Sequence, residues 1–275
     1  LQVDNYQAVL LAIVQGMTEF LPVSSSGHLL LPSQLLGWHD QTLAFDVAVH
    51  GGSLIAIVFY LRVRLRDLIA AWWISILSSG NNRHGNASCE EAKLAWQIIL
   101  ASLPAAICGW SLATFIEQNL RNVFVVASAT VFFGLVLGMA DLKGAKNRTL
   151  KEMTWYDAII IGCSQAIALV PGTSRSGITI TSALTLGYSR EHAAHFSFLM
   201  SVPIITMSLL YKGSQLMTSD SSDLAPLGIG IVFSAVTAYF CISGFMHFVT
   251  KIGMLPFVIY RILLGSALFW IAYSQ

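Results

Sequence analysis

Apolar runs dominate this chain, and their lengths sort into two kinds. Six runs are long, at about 45–61, 93–117, 122–140, 191–212, 225–249 and 255–273. A helix that spans a bilayer needs about 20 apolar residues, so each of the six predicts one transmembrane helix. Two other runs are shorter and end in polar breaks. Residues 6–21 predict a helix of about 24 Å, at about 1.5 Å per residue, that carries Gln15 and Glu19 and stops at Pro22. Ser24, Ser25, Ser26, Gly27 and His28 follow, and then a short apolar piece, Leu29 to Leu36. Residues 155–170 repeat the design: the helix carries Gln165, breaks at Pro171-Gly172, and continues through Thr173, Ser174, Arg175, Ser176 and Gly177 into Ile178 to Leu186. Two half-length helices around a polar break predict a re-entrant hairpin, because non-helical backbone at membrane depth is tolerated only inside protein or beside water.

Composition narrows the class. Of 275 residues, 55% are apolar and 11% charged; soluble domains carry about 25% charged residues. The mean hydropathy is +0.69. A soluble enzyme and a disordered chain are excluded, and a formal net charge of +1 gives no field to attract nucleic acid. Cys89, Cys108, Cys163 and Cys241 stand in no metal-binding spacing and read as small apolar residues on membrane helices. Leu1 to Tyr6 are not basic, so no signal-peptide pattern is read, and the helices themselves are expected to insert the chain.

The few charges set the topology. Arg62, Arg64, Arg66, Arg83 and Lys93 fill one loop; Lys143, Lys146, Arg148 and Lys151 fill another. Both are expected on the cytoplasmic side, with Arg190 and Lys251. Arg121 and Lys212 fall outside, with Asp220 and Asp223. Arg175 and Arg261 are left in the membrane. The first hairpin then dips in from the outer face and the second from the cytoplasm. The predicted fold is an all-α polytopic membrane protein in a single domain, with six transmembrane helices and two re-entrant hairpins. Its inverted-topology repeats cover approximately 1–140 and 150–275. Gly16-x-x-Glu19 answers Gly162-x-x-Gln165, and Ser24-x-Ser26-Gly27 answers Ser174-x-Ser176-Gly177.

The breaks hold the candidate chemistry. Away from segment ends, Glu19 is the acidic residue inside a predicted membrane helix, and Gln15 shares its face. A buried carboxylate must be neutralised, paired or bound to a cation. Glu19, Ser24, Ser25, Ser26 and His28 together supply a carboxylate, hydroxyls and an imidazole, the parts of a nucleophilic site. The serines could instead cap the next half-helix. Arg175, between Ser174 and Ser176, suits bidentate contact with a phosphate, and the backbone amides that open its half-helix favour an anion. If the tips meet, Arg175 faces Glu19 and His28; the alternative is an ion pair that only holds the hairpins together. Asp46 and His50, one turn apart, either border the site from outside or cap an interface. Arg261, six residues into the last run, is expected to snorkel to the inner interface. Ser26-Gly27-His28 and Ser189-Arg190 with His195 echo the acid-phosphatase lipid phosphatases. That match is rejected: the second spacing is one residue short and Leu199 replaces the aspartate.

At these residues a family resemblance emerges. The run Gln15 to His28 (QGMTEFLPVSSSGH) resembles the first signature motif of bacterial undecaprenyl-diphosphate phosphatases, the bacitracin resistance proteins, with Gln15 in the first slot of (E/Q)-x-x-x-E. The run Pro171 to Thr179 (PGTSRSGIT) is similar to their PGxSRSxxT motif. The resemblance implies hydrolysis of undecaprenyl diphosphate to the monophosphate and inorganic phosphate, in the bacterial inner membrane, at a site open to the periplasm. It also implies recycling of the carrier for peptidoglycan synthesis, bacitracin resistance, and a divalent cation, Mg2+ or Ca2+. Carried onto this chain, Glu19, His28 and Arg175 match essential positions, while Gln15 departs from the commoner glutamate; Ser25 joins them as a catalytic candidate from the reading of the residues. Gln15, Ser24, Ser26, Thr173, Ser174, Ser176 and Thr179 bind substrate, and Glu19 binds the metal. The nucleophile is left open among Ser25, His28 and water. The expected partners are the polyprenyl diphosphate, membrane lipids and a second copy in a homodimer, with no nucleic acid. The alternative function is a lipid-phosphate transporter or flippase built on the inverted repeat.

Overall fold

The two kinds of apolar run become two kinds of helix. In the computed structural model, residues 3–38, 42–77, 86–216 and 224–274 are described; Leu1, Arg83, Asp220 and Asp223, used above, lie outside them. The helices are α1 (Asn5–Thr18), α2 (Ser25–Leu36), α3 (Leu43–Tyr60), α4 (Arg62–Leu77), α5 (Asn86–Asn119), α6 (Val123–Lys143), α7 (Trp155–Ile167), α8 (Arg175–Thr185), α9 (Arg190–Leu216), α10 (Leu224–Ile252) and α11 (Leu255–Ser274). Among the described residues β-structure is limited to one isolated bridge, Arg148 to Tyr188. Six stretches are long and apolar enough to cross a membrane: Leu43–Tyr60, Cys89–Asn119, Val123–Lys143, Arg190–Ser214, Leu224–Ile252 and Leu255–Ser274. Each matches one of the six long runs. The chain is a multi-pass membrane protein, and large apolar side chains such as Trp110, Phe132, Phe240, Leu263 and Trp270 lie exposed on its outside. In water such a surface would aggregate; in a bilayer it meets lipid tails.

Helix α4 is a departure from the sequence reading, which left 62–93 as a basic loop. It is too short and too charged to span. Leu68 and Ala71 are nevertheless buried, and the helix packs along α5. A narrow apolar stripe holds it there, and that stripe is easily lost among Arg62, Arg64, Arg66 and Asp67.

The half-length helices are buried unequally: α8 over most of its length, α1 and α7 along one side, and α2 only at Gly27. Helix α1 lies on α10, and α7 lies on α5. A Cβ at Gly16 would meet Ser234 O at 2.7 Å and Ala238 N at 2.9 Å; one at Gly162 would meet Ala101 O at 2.5 Å. Each glycine therefore lets its helix sit against a neighbour's backbone. Helix α3 packs on α10 and α9 on α5, while α6 and α11 cross each other.

Charged locks close one end. Asp141 receives Arg190 Nε at 2.6 Å and Nη2 at 2.8 Å, with the Met254 amide at 3.2 Å. Asp157 receives Arg148 Nη2 at 2.6 Å and the Tyr188 hydroxyl at 2.8 Å. Basic residues that read as topology markers thus also pin the 141–157 connection to the start of α9.

Candidate active site

Both breaks turn on a serine with an unusual backbone. Ser24 has φ 75° and ψ 96°, and Ser174 has φ 68° and ψ 115°. Positive φ at a non-glycine residue costs on the order of 1–3 kcal/mol and persists where the surroundings enforce it. Each serine caps the helix that follows: Ser24 Oγ accepts from Gly27 N at 3.4 Å, and Ser174 Oγ from Gly177 N at 3.1 Å. Each also pairs with the serine two residues on, at 3.2 Å in both cases. The breaks then bind each other reciprocally. The Gly172 amide donates to Ser26 Oγ at 3.0 Å, and the Ser176 hydroxyl donates to the Leu21 carbonyl at 2.8 Å.

Glu19 is the hub where the breaks meet. Its carboxylate accepts from Arg175 Nη2 at 3.2 Å, Gln15 Nε2 at 3.0 Å and the Ser25 hydroxyl at 3.3 Å. The Glu19 side chain is 9% exposed and that of Arg175 13%. Arg175 also lies over the Phe20 ring, 5.9 Å from its centroid. Its Nη1 is buried without a partner, as are Gln15 Oε1 and Thr173 Oγ1. Buried polar groups are ordinarily satisfied, so these orphaned atoms call for an explanation. Thr179 is committed elsewhere, donating within its own helix and pairing with Ser197 Oγ at 2.8 Å.

His28 stands apart from this hub. Its Nδ1 lies 2.7 Å from the Ser24 carbonyl and its Nε2 2.6 Å from the Tyr260 hydroxyl. A carbonyl can only accept, so Nδ1 carries the proton, and in the neutral ring Nε2 accepts from Tyr260. The ring also stacks on Tyr260, with centroids 5.4 Å apart. The imidazole near Glu19 is instead His50, whose Nε2 is 3.8 Å from Oε2. His50 Nδ1 lies 3.2 Å from Asp46 Oδ1, and Asp46 is bound by Lys212. Nothing in the local sequence of α3 distinguished this pair from an interfacial cap; only the packing of α1 beside α3 brings Glu19 to it. Gln165, on α7, is buried with both amide atoms unpartnered.

The snorkelling expected of Arg261 is corrected. Its side chain is fully buried. It points inward because Gly134 leaves room for it: a Cβ there would meet Arg261 Cβ at 3.0 Å and Nε at 3.3 Å.

Comparison with known proteins agrees with the motifs. The family described as bacitracin resistance protein BacA matches residues 8–267. The undecaprenyl-diphosphatase of Saccharophagus degradans is 52% identical over 266 residues, 97% of each chain. That of Aliivibrio salmonicida is 51% identical over 269 residues, 97% of this chain and 98% of its own. Undecaprenyl-diphosphatase 1 of Pseudoalteromonas translucida is 49% identical over 263 residues, 95% of this chain and 96% of its own. With the match running through both breaks and nearly end to end, this chain belongs to the BacA family of bacitracin resistance proteins.

Proposed function

We infer that this protein is an integral membrane phosphatase that hydrolyses undecaprenyl diphosphate to undecaprenyl phosphate and inorganic phosphate, recycling the carrier for peptidoglycan synthesis and giving resistance to bacitracin. The observation that carries this is the meeting of Arg175, Glu19 and Ser25 where two helix breaks join. Relatives about half identical over their full length bear the name undecaprenyl-diphosphatase.

The diphosphate sits between the breaks with its isoprenoid tail in lipid. Arg175 holds phosphate oxygens through the nitrogen that is otherwise unpartnered, and the amides opening α8 add donors. The Ser25 hydroxyl, already directed at Glu19, attacks the terminal phosphorus, and Glu19 accepts its proton. The bridging P–O bond breaks and undecaprenyl phosphate leaves. Water then attacks the phosphoserine; the Ser25 O–P bond breaks, Glu19 returns its proton to the Ser25 oxygen, and inorganic phosphate leaves with the proton of the water. Positioning and charge stabilisation supply most of the acceleration. His28 acts on this chemistry through Ser24, whose carbonyl it holds.

A divalent cation fits here as a companion of the substrate. Among the described residues no cluster of three His, Cys, Asp or Glu makes a complete cage. Mg2+ is commonly held by one or two carboxylates together with substrate phosphates. Glu19 would hold it with Gln15 Oε1, a buried oxygen lacking a partner. When bound it would neutralise phosphate charge.

The reading includes an inverted repeat within one membrane domain, its halves at about 1–140 and 150–275, each a re-entrant hairpin and three spans. Supporting it are the matched backbone angles of Ser24 and Ser174 and the exchange of α1 on α10 for α7 on α5. The site opens to the periplasm of the inner membrane. In support, Asp46, His50 and Lys212 lead from Glu19 towards the end of the bundle opposite the basic connections.

The test is phosphate release by purified protein in detergent from a C55 or C15 diphosphate, with and without chelator. Wild type should release phosphate and Glu19→Ala should not. A wild type that binds the lipid and releases none overturns the reading.

A further inference from the structure

Arg261 is the large charged side chain that the chemistry above leaves unused. It is completely buried, and its partners are main-chain carbonyls drawn from three parts of the chain. From α6, Thr130 O accepts Nε at 2.9 Å and Ala129 O accepts Nη2 at 3.4 Å. From the first break, Pro22 O accepts Nη1 at 3.4 Å. From the second break, Gly172 O and Thr173 O accept Nη2 at 3.0 and 2.9 Å. Nη1 also sits 2.8 Å from where a Cβ on Gly177 would be, against the first turn of α8. No carboxylate is among these partners.

A buried guanidinium is costly, and this one is held by carbonyl dipoles instead of a counter-ion. Such carbonyls are common wherever a helix is interrupted, so a helix break needs donors, but it does not need a donor shared with a second break. The planar fork reaches both breaks at once because its nitrogens point along divergent fixed directions. Pro22 lies three residues from both Glu19 and Ser25, and Thr173 lies two from Arg175. The carbonyls that Arg261 gathers thus flank the residues that touch substrate on either side.

We propose that Arg261 is a positioning residue: by joining the carbonyls of Pro22, Gly172 and Thr173 it fixes the distance between the two hairpin breaks, and so sets Ser25 and Glu19 in register with Arg175. The proposal rests on the phosphatase reading and extends it to a residue on the last helix. Lysine at this position keeps the charge but has one nitrogen for three parts of the chain. The breaks then relax relative to each other, while Arg175 and the amides opening α8, which sit on one break, still hold phosphate.

The experiment compares Arg261→Lys and Gly134→Ala with the parent enzyme, in detergent, on a C15 diphosphate. In Gly134→Ala the new methyl presses on Arg261 Cβ and Nε and displaces the fork without altering any charge. Folding is followed by elution profile and thermal midpoint, and kcat and KM are measured per folded molecule. A misplacement of about 1 Å can cost on the order of 100-fold in rate. The expected result is a kcat lowered about 10- to 100-fold in Arg261→Lys, and lowered less in Gly134→Ala, with KM within about threefold of the parent. A kcat per folded molecule close to the parent's in both variants would overturn the proposal. So would a loss confined to KM, or loss of folded protein in both, which would assign Arg261 to the fold alone. A parent enzyme that releases no phosphate would instead remove the phosphatase reading, and it is measured first.

Discussion

Arg175 and Glu19, 156 positions apart in the chain, meet with Nη2 3.2 Å from Oε1. The pair leaves Arg175 Nη1 buried and unpartnered; on the proposed reading, one half of the guanidinium holds Glu19 and the other half takes the phosphate. A lysine would retain the charge and lose this division of labour. Arg175→Lys should lower kcat/KM about 100-fold or more, the scale for removing one donor to developing charge. Steady-state phosphate release checks it, and activity within threefold of the parent would refute the clamp.

His28 separates two kinds of contribution. Both its nitrogens are engaged, one by Ser24 O and one by the Tyr260 hydroxyl. A residue acting as the general base contributes about 100- to 10,000-fold and shapes one limb of the pH–rate profile. A residue that holds Ser24 in place lowers the rate without reshaping the profile. His28→Gln should reduce kcat and leave the profile's form intact, and Tyr260→Phe should reduce kcat by a few-fold in the same manner. Loss of a pH limb in His28→Gln would assign the base role to His28.

Much of this was legible in the sequence, for a physical reason. The length of an apolar run is a local quantity, and bilayer thickness fixes what it must mean, so the six spans emerged with bounds within about four residues. The breaks between the short helices were legible too, because Pro22, Pro171 and the serines and glycines beside them interrupt apolar runs there. The meeting of Glu19 with Arg175 was expected only on the condition that the two breaks met, and His28, expected there with them, is held by Ser24 and Tyr260 instead. What could not be read was direction. Arg261 points inward only because Gly134, on another helix, makes room for it. His50 rather than His28 flanks Glu19 because α3 packs beside α1. Helix α4 was hidden because its apolar stripe is narrow and its charge dense.

The glycines of the half-helices yield a packing expectation. At Gly16 and Gly162 an added methyl would meet backbone of α10 and α5 at 2.7 and 2.5 Å, and backbone cannot rotate aside. Gly16→Ala and Gly162→Ala should each destabilise by about 1–3 kcal/mol, the usual cost of overpacking. Gly244, on α10, has nothing within 4 Å of such a methyl, and Gly244→Ala should be neutral or slightly stabilising through helix propensity. Thermal midpoints in detergent test the contrast. Equal midpoints for all three variants would show that the close approach of these helices is dispensable.

Asp157, at the basic end and outside the six spans, supplies a pH dependence. Burial works against its charge, but hydrogen bonds from Arg148, Thr154 and Tyr188 outweigh that and pull its carboxyl down to about 2, from an ordinary value of 3.8. The same contact pushes the Tyr188 hydroxyl up. A carboxyl depressed in the folded state favours folding fully at pH above the ordinary value, and that contribution fades as pH falls through the folded value. The shift corresponds to about 2 kcal/mol at neutral pH. Asp157→Asn cannot ionise. It should therefore lower stability at pH 7 by about that amount, while the gap from the parent narrows steadily between pH 4 and pH 2. Denaturant midpoints of the purified protein across that range decide the matter: a gap that stays constant would mean that Asp157 contributes through packing and neutral hydrogen bonds, with its charge irrelevant to the lock on α9.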